Sequence, residues 1–80
     1  MSLMRAKMVV LSVEKQGEQE KVNFNCVAKS TAYPADGLDE DNSFARWSPS
    51  GSCIITIANP ALYGKLVAGQ KFYLDFTLAE

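Results

Sequence analysis

Eighty residues suffice for one domain with a lean core, because a short chain buries a smaller share of its surface than a long one. Hydrophobic residues make up 48% and charged residues 21%, a globular rather than a disordered balance. Eight Lys and Arg against nine Asp and Glu leave a net charge of -1, which lacks the positive field that non-specific duplex DNA binding requires.

The longest apolar run, Met8 to Leu11, is far too short to span a bilayer, and no signal-like opening precedes it, so a soluble, non-secreted protein is expected. Met1-Ser2-Leu3 precede a second methionine, Met4, and resemble an expression-vector remnant. Residues 4–80 are then expected to form a single β domain.

The first strand is expected over Arg5 to Lys15, with Val9, Leu11 and Val13 on one side and Met8 and Val10 on the other. "QGEQ" supplies a turn at Gly17, and in "EKVNFNCVAK" Val22, Phe24, Cys26 and Ala28 alternate against Asn23, Asn25 and Lys29. The two segments predict an antiparallel hairpin. No period survives from Ser30 to Ser50, where Pro34, Gly37 and Pro49 mark turns and "SFARW" is the candidate for a short edge strand. "SCIITIA" reads as a central strand, since β-branched side chains suit a pleated surface. Asn59, Pro60 and Gly64 spell one capped helical turn. Phe72, Leu74 and Phe76 then alternate against Lys71, Tyr73, Asp75 and Thr77 in a last strand. The expected fold is all-β: a small antiparallel barrel or sandwich of four to six strands with at most one short helical turn.

Cys26 and Cys53 lie in apolar runs without metal-type spacing, and His is absent, so buried free thiols and a reducing compartment are expected. Asp36, Asp39, Glu40 and Asp41 lack the alternating acids, central Gly and terminal Glu of a calcium loop and read as an exposed, solvated run. Without His the commonest general base is missing, and neither Asp75 with Glu80 nor Ser50 with Lys65 has a spacing that argues for chemistry. The expectation is a protein that is not an enzyme and holds no metal or cofactor. Phe44, Arg46 and Trp47 beside Tyr33 have the aromatic and cationic character of a base-stacking platform, but also that of a core or homotypic interface, which is the preferred reading. An exposed edge strand on a lean core adds a physical route to oligomers.

Four pieces, Arg5-Ala6-Lys7-Met8, "DNSFARWSPSGS", "ANPALYGK" and "GQKFYLDFTLAE", resemble in order and spacing a group of small proteins of tailed bacteriophages. Members typically end in Gly-x-x-Phe/Tyr-Tyr-hydrophobic-Asp-Phe-Thr, matched here by Gly69, Phe72, Tyr73, Leu74, Asp75, Phe76 and Thr77. The group's Thr-Pro-Ala-like tail is replaced by Thr77-Leu78-Ala79. The resemblance spans nearly all of Met4 to Glu80. It implies a viral origin and expression in the bacterial host cytoplasm near virion structural genes, with the virion itself as an alternative location, and it implies no catalytic residues. The resulting expectation is a noncatalytic accessory or virion-associated protein that contacts itself or another phage protein through Phe44, Arg46, Trp47 and Tyr73. The alternatives are a single-stranded nucleic-acid-binding barrel and a host-directed inhibitor that binds a small ligand such as a nucleotide signal.

Overall fold

The computed structural model describes residues 3–80; Met1 and Ser2 of the remnant-like leader lie outside them. Four strands, β1 (Met4–Gln16), β2 (Gln19–Cys26), β3 (Ser52–Ile57) and β4 (Lys71–Phe76), form one antiparallel sheet in the order β3-β2-β1-β4. Among the described residues the fold is all-β apart from two single 3-10 turns, Glu40–Asn42 and Pro60–Leu62. The sheet does not close into a barrel: β3 and β4 are opposite edges, held apart by the β1–β2 hairpin.

That hairpin forms where the sequence places it. Gln16 pairs with Gln19, and Gly17 takes φ 63° while Glu18 stays negative, the pattern of a type II′ turn that matches the twist of the flanking strands. The side-chain pattern of β1 is different from the expected one. Ala6, Met8 and Val10 are buried on one face; a register shift between Val10 and Ser12 then inserts an extra residue, so that Val13, opposite Val22, returns to that same face. Val9 and Leu11 are therefore not on the side of Val13. The bulge resolves a run, "MVVLSV", that has no clean alternation of its own.

β3 was expected in the centre and stands at an edge, paired only with β2. Its isoleucines reflect a preference for the pleat rather than burial on both faces: Ile57 is buried, but Ile54 is 60% and Ile55 44% exposed. β2 ends at Cys26, so Ala28 lies beyond the strand. In β4 the predicted alternation holds, with Phe72, Leu74 and Phe76 opposite Met8, Ala6 and Met4 of the apolar face.

The core consists of Ala6, Met8, Val10, Val22, Phe24 and Ile57, with Tyr63 and Leu66 of the β3–β4 connection packed against it. That connection begins as the sequence predicts. The Asn59 side chain accepts from the Ala61 amide at 3.1 Å, Pro60 opens the turn, and Gly64 follows with φ 76°. It is tied to the hairpin by the Tyr63 hydroxyl donating to the Glu18 carbonyl and by the Gly64 amide donating to the buried Glu20 carboxylate at 3.3 Å. The result is a thin slab with Cα extents of 47 × 32 × 15 Å.

Candidate functional site

The long connection between β2 and β3 builds the most structured surface of the molecule, and it does so by finishing the sheet. β2 stops opposite Met8, leaving the edge of β1 at Arg5 and Lys7 without a neighbouring strand. Four hydrogen bonds take its place. The Arg5 amide donates to Ser43 Oγ at 2.7 Å and the Ser43 amide to the Arg5 carbonyl at 2.9 Å. The Lys7 amide donates to Asn42 Oδ1 at 2.9 Å, and the Val27 amide to the Lys7 carbonyl at 2.9 Å. Asn42, fully buried, also donates through Nδ2 to the Val27 carbonyl at 2.9 Å and to Asp39 Oδ2 at 3.2 Å. Every polar atom of its side chain is thus used, as burial demands.

Asp39 belongs to this lock and corrects the reading of residues 36–41 as a uniformly exposed acidic run: it is buried and caps the first 3-10 turn by accepting from the Asp41 amide at 2.9 Å. Burial alone would push its carboxyl up. The amide of Asp41, the Asn42 carboxamide, the charge of Lys29 and the Asn42 amide outweigh that and hold it below the usual carboxylate range. Among the described residues no group of three or more His, Cys, Asp or Glu is placed to hold a metal ion.

Next along the connection, "SFARW" is not a strand. It makes one isolated bridge, Arg46 with Leu38, because the chain turns back on itself from Pro34 to Trp47. The Gly37 amide donates to the Pro34 carbonyl at 2.9 Å, the Arg46 Nε to the Asp36 carbonyl at 3.1 Å, and the Trp47 amide to the Gly37 carbonyl at 2.6 Å. Trp47 adopts φ 64°, a left-handed conformation unusual for a large side chain. Its indole lies flat on Gly37, where a Cβ would stand 2.6 Å from the ring, and edge-on to Tyr33 at 6.2 Å between centroids. The Tyr33 hydroxyl is buried without a hydrogen-bond partner among the described residues.

Tyr73 sits elsewhere, on the polar face of β4. The Arg5 guanidinium lies 4.4 Å from its ring centroid and grips Asp75 through two bonds of 2.7 and 3.3 Å, while the Tyr73 hydroxyl donates to Asp41 Oδ1 at 3.1 Å. Lys7 Nζ reaches the same Asp41 carboxylate at 3.6 Å. The hydrogen bond from Arg5 holds the Asp75 carboxyl below its ordinary value, against a smaller desolvation effect.

The four residues singled out from sequence are therefore all exposed but do not form one patch. Arg46 and Trp47 share the 33–47 turn with Tyr33; Phe44 points toward Gly51 and Cys26, on the apolar side. Tyr73 is on the opposite face with Arg5, Lys7, Asp41 and Asp75. Neither Phe44 nor Trp47 fills the core, since Trp47 remains 48% exposed. Sequence reasoning missed the lock made by Asp39, Asn42 and Ser43, whose only signal was the capping pattern of "DEDNS". Cys26 and Cys53 are free, but half-buried rather than buried as expected, and the partial burial pushes the Cys26 thiol up.

Compared with protein-family models, with curated proteins and with solved structures, the chain matches none. The likeness to tailed-phage proteins rests on its four sequence pieces alone. Among the described residues no helix is long and apolar enough to cross a membrane.

Proposed function

We propose that the protein is a noncatalytic phage accessory or virion-associated protein that acts through protein contacts and associates with itself. The observation that carries this reading is an excess of surface. The chain exposes 5646 Å², whereas a compact monomer of its mass exposes about 4,800 Å². The Cα radius of gyration, 14.4 Å, likewise exceeds the roughly 12 Å of a compact chain of this length. The excess is close to the share one partner contributes to a standard interface, about 800 Å². Exposed large apolar residues supply the chemistry for such a contact, Phe44, Phe72 and Phe76 toward the apolar side of the sheet and Ile54 on its outer edge.

The nucleic-acid alternative has less behind it. The expected barrel is absent, and the Tyr73 ring on the polar face of β4 is already covered by Arg5. Sedimentation equilibrium from micromolar to sub-millimolar concentration tests the proposal: a mass that rises with concentration to a defined oligomer supports it, and a constant monomer mass refutes self-association. The viral assignment has its own test, mass spectrometry of purified virions alongside infected-cell extract; finding the chain in neither sinks it.

A further inference from the structure

We infer that β3 is a dimerisation edge, pairing antiparallel with β3 of a second copy about a twofold axis at Ile54 and joining two four-stranded sheets into one of eight. This rests on the self-association proposed above and names its surface.

The phase of the backbone is fixed by the Cys26 amide, which donates to the Gly51 carbonyl at 3.1 Å. Continuing that alternation along the register of β2 with β3 turns the amides and carbonyls of Cys53, Ile55 and Ile57 toward β2 and those of Ser52, Ile54 and Thr56 outward. An outer row of this kind is ordinarily blunted by a charge, a proline, a bulge or a covering segment. β3 has no proline, its pairing with β2 runs without a register shift, and no charged residue occurs anywhere from Trp47 to Gly64, the longest uncharged stretch of the chain. Ile54 projects from this edge on the face that otherwise carries Arg5, Lys7, Tyr73 and Asp75.

The strand is complementary to itself. With Ile54 opposite Ile54 of the second copy, Ser52 falls opposite Thr56 on both sides, and every outward amide and carbonyl of the three residues is bonded across the twofold axis to the other strand. On the polar face an isoleucine contact is flanked by two hydroxyl pairs, both favourable cross-strand combinations. On the apolar face Cys53 meets Ile55, extending the hydrophobic surface across the join. No like charges meet. The other edge is less available. Its outward row carries Lys71, Tyr73 and Asp75, and the Asp75 carboxylate is already held by Arg5. The twofold arrangement also closes, so that one edge per copy is consumed and no open filament follows.

The test is sedimentation velocity of the full chain carrying Ile54→Lys, which places two ammonium groups opposite each other at the axis. Wild type is expected to be a dimer and the variant a monomer with unchanged strand content by circular dichroism, its association weakened by roughly 100-fold or more. Ile54→Cys gives an independent arm, because the paired Cα atoms would lie about 5.5 Å apart and mild oxidation should trap a covalent dimer, whereas wild type and Tyr73→Cys should not be trapped. If Ile54→Lys does not fold, this crosslink decides. A variant that still dimerises, or an Ile54→Cys chain that dimerises without crosslinking, overturns the β3 edge and leaves self-association standing. A monomeric wild type overturns both.

Discussion

Asn42 is the residue on which the β2–β3 connection depends, and replacing it with alanine isolates that dependence. The substitution removes the acceptor of the Lys7 amide and the donor to both the Val27 carbonyl and Asp39 Oδ2, at a position with no exposed surface. A buried polar group left without a partner costs about 1–3 kcal/mol. Three such groups are affected, but all lie beside a loop that can admit water once loosened, so the expected loss is about 3 kcal/mol rather than the sum. For a chain of this length total stability is of order 4–12 kcal/mol, making the effect large. Asn42→Asp should be at least as damaging, since the oxygen replacing Nδ2 would face the Val27 carbonyl and the Asp39 carboxylate. Urea denaturation measures the loss, and amide exchange locates it: Lys7 and Ser43 should exchange far faster while Val22 and Phe24 in β2 remain protected. A loss below about 1 kcal/mol, or a Lys7 amide that stays protected, would show that something other than Asn42 covers the edge of β1.

Three further outcomes follow from the same geometry. Trp47→Gly should be less destabilising than Trp47→Ala by about 1 kcal/mol, because both lose the packing on Gly37 and Tyr33 but only glycine is relieved of the left-handed backbone; equal denaturation midpoints would refute that backbone assignment. Tyr33→Phe should raise stability by up to about 1 kcal/mol, because it deletes a buried hydroxyl that has no partner, and a clear decrease would reveal a partner. Asp39 and Asp75 are both held below the ordinary aspartate value, so the unfolded chain takes up protons first on acidification. Their contribution is complete above that value, about 3.9, and is lost as pH falls through the depressed folded values. Melting temperature should therefore drop in that acid range, and Asp39→Ala should flatten part of the drop.

What could be read from the sequence was whatever local chemistry dictates. The Gly17 turn, the alternation of Val22, Phe24 and Cys26, the Asn59-Pro60 cap and the alternation of Phe72, Leu74 and Phe76 each depend on a few neighbouring residues, and each is where it was expected. What could not be read were decisions taken between segments. Whether the isoleucines of β3 were covered on both sides depended on which strand sat beside it, information held in the pairing of Val22 with Ile55 and not in "SCIITI". The bulge at Leu11 was set by the need to bring Val13 opposite Val22. "SFARW" has the aromatic content of a strand, yet its first residue, Ser43, and Asn42 just before it are spent on β1, which forces the chain to turn. The interaction residues suffered most, because exposure is local but adjacency is not: Trp47 and Tyr73 are both open to solvent and lie on unrelated surfaces.

The thinness of the sheet ties these findings together. Six buried hydrophobic residues among those described are a small core, and the chain compensates with polar locks. Asn42 closes one end of β1, while Glu20 and Tyr63 hold the covering connection to the hairpin. Such locks are directional and position loops well, but they cover little apolar area, so Phe44, Phe72, Phe76, Ile54 and Ile55 stay partly in water. Hydrophobic area left exposed by a monomer is stabilising only when something covers it. A second copy joined at β3 would continue the apolar face past Cys53 and Ile55, converting β3 from an edge into an interior strand. In the proposed dimer each chain is half of a sheet, and its recognition properties are set by which residues remain at the rim after that join.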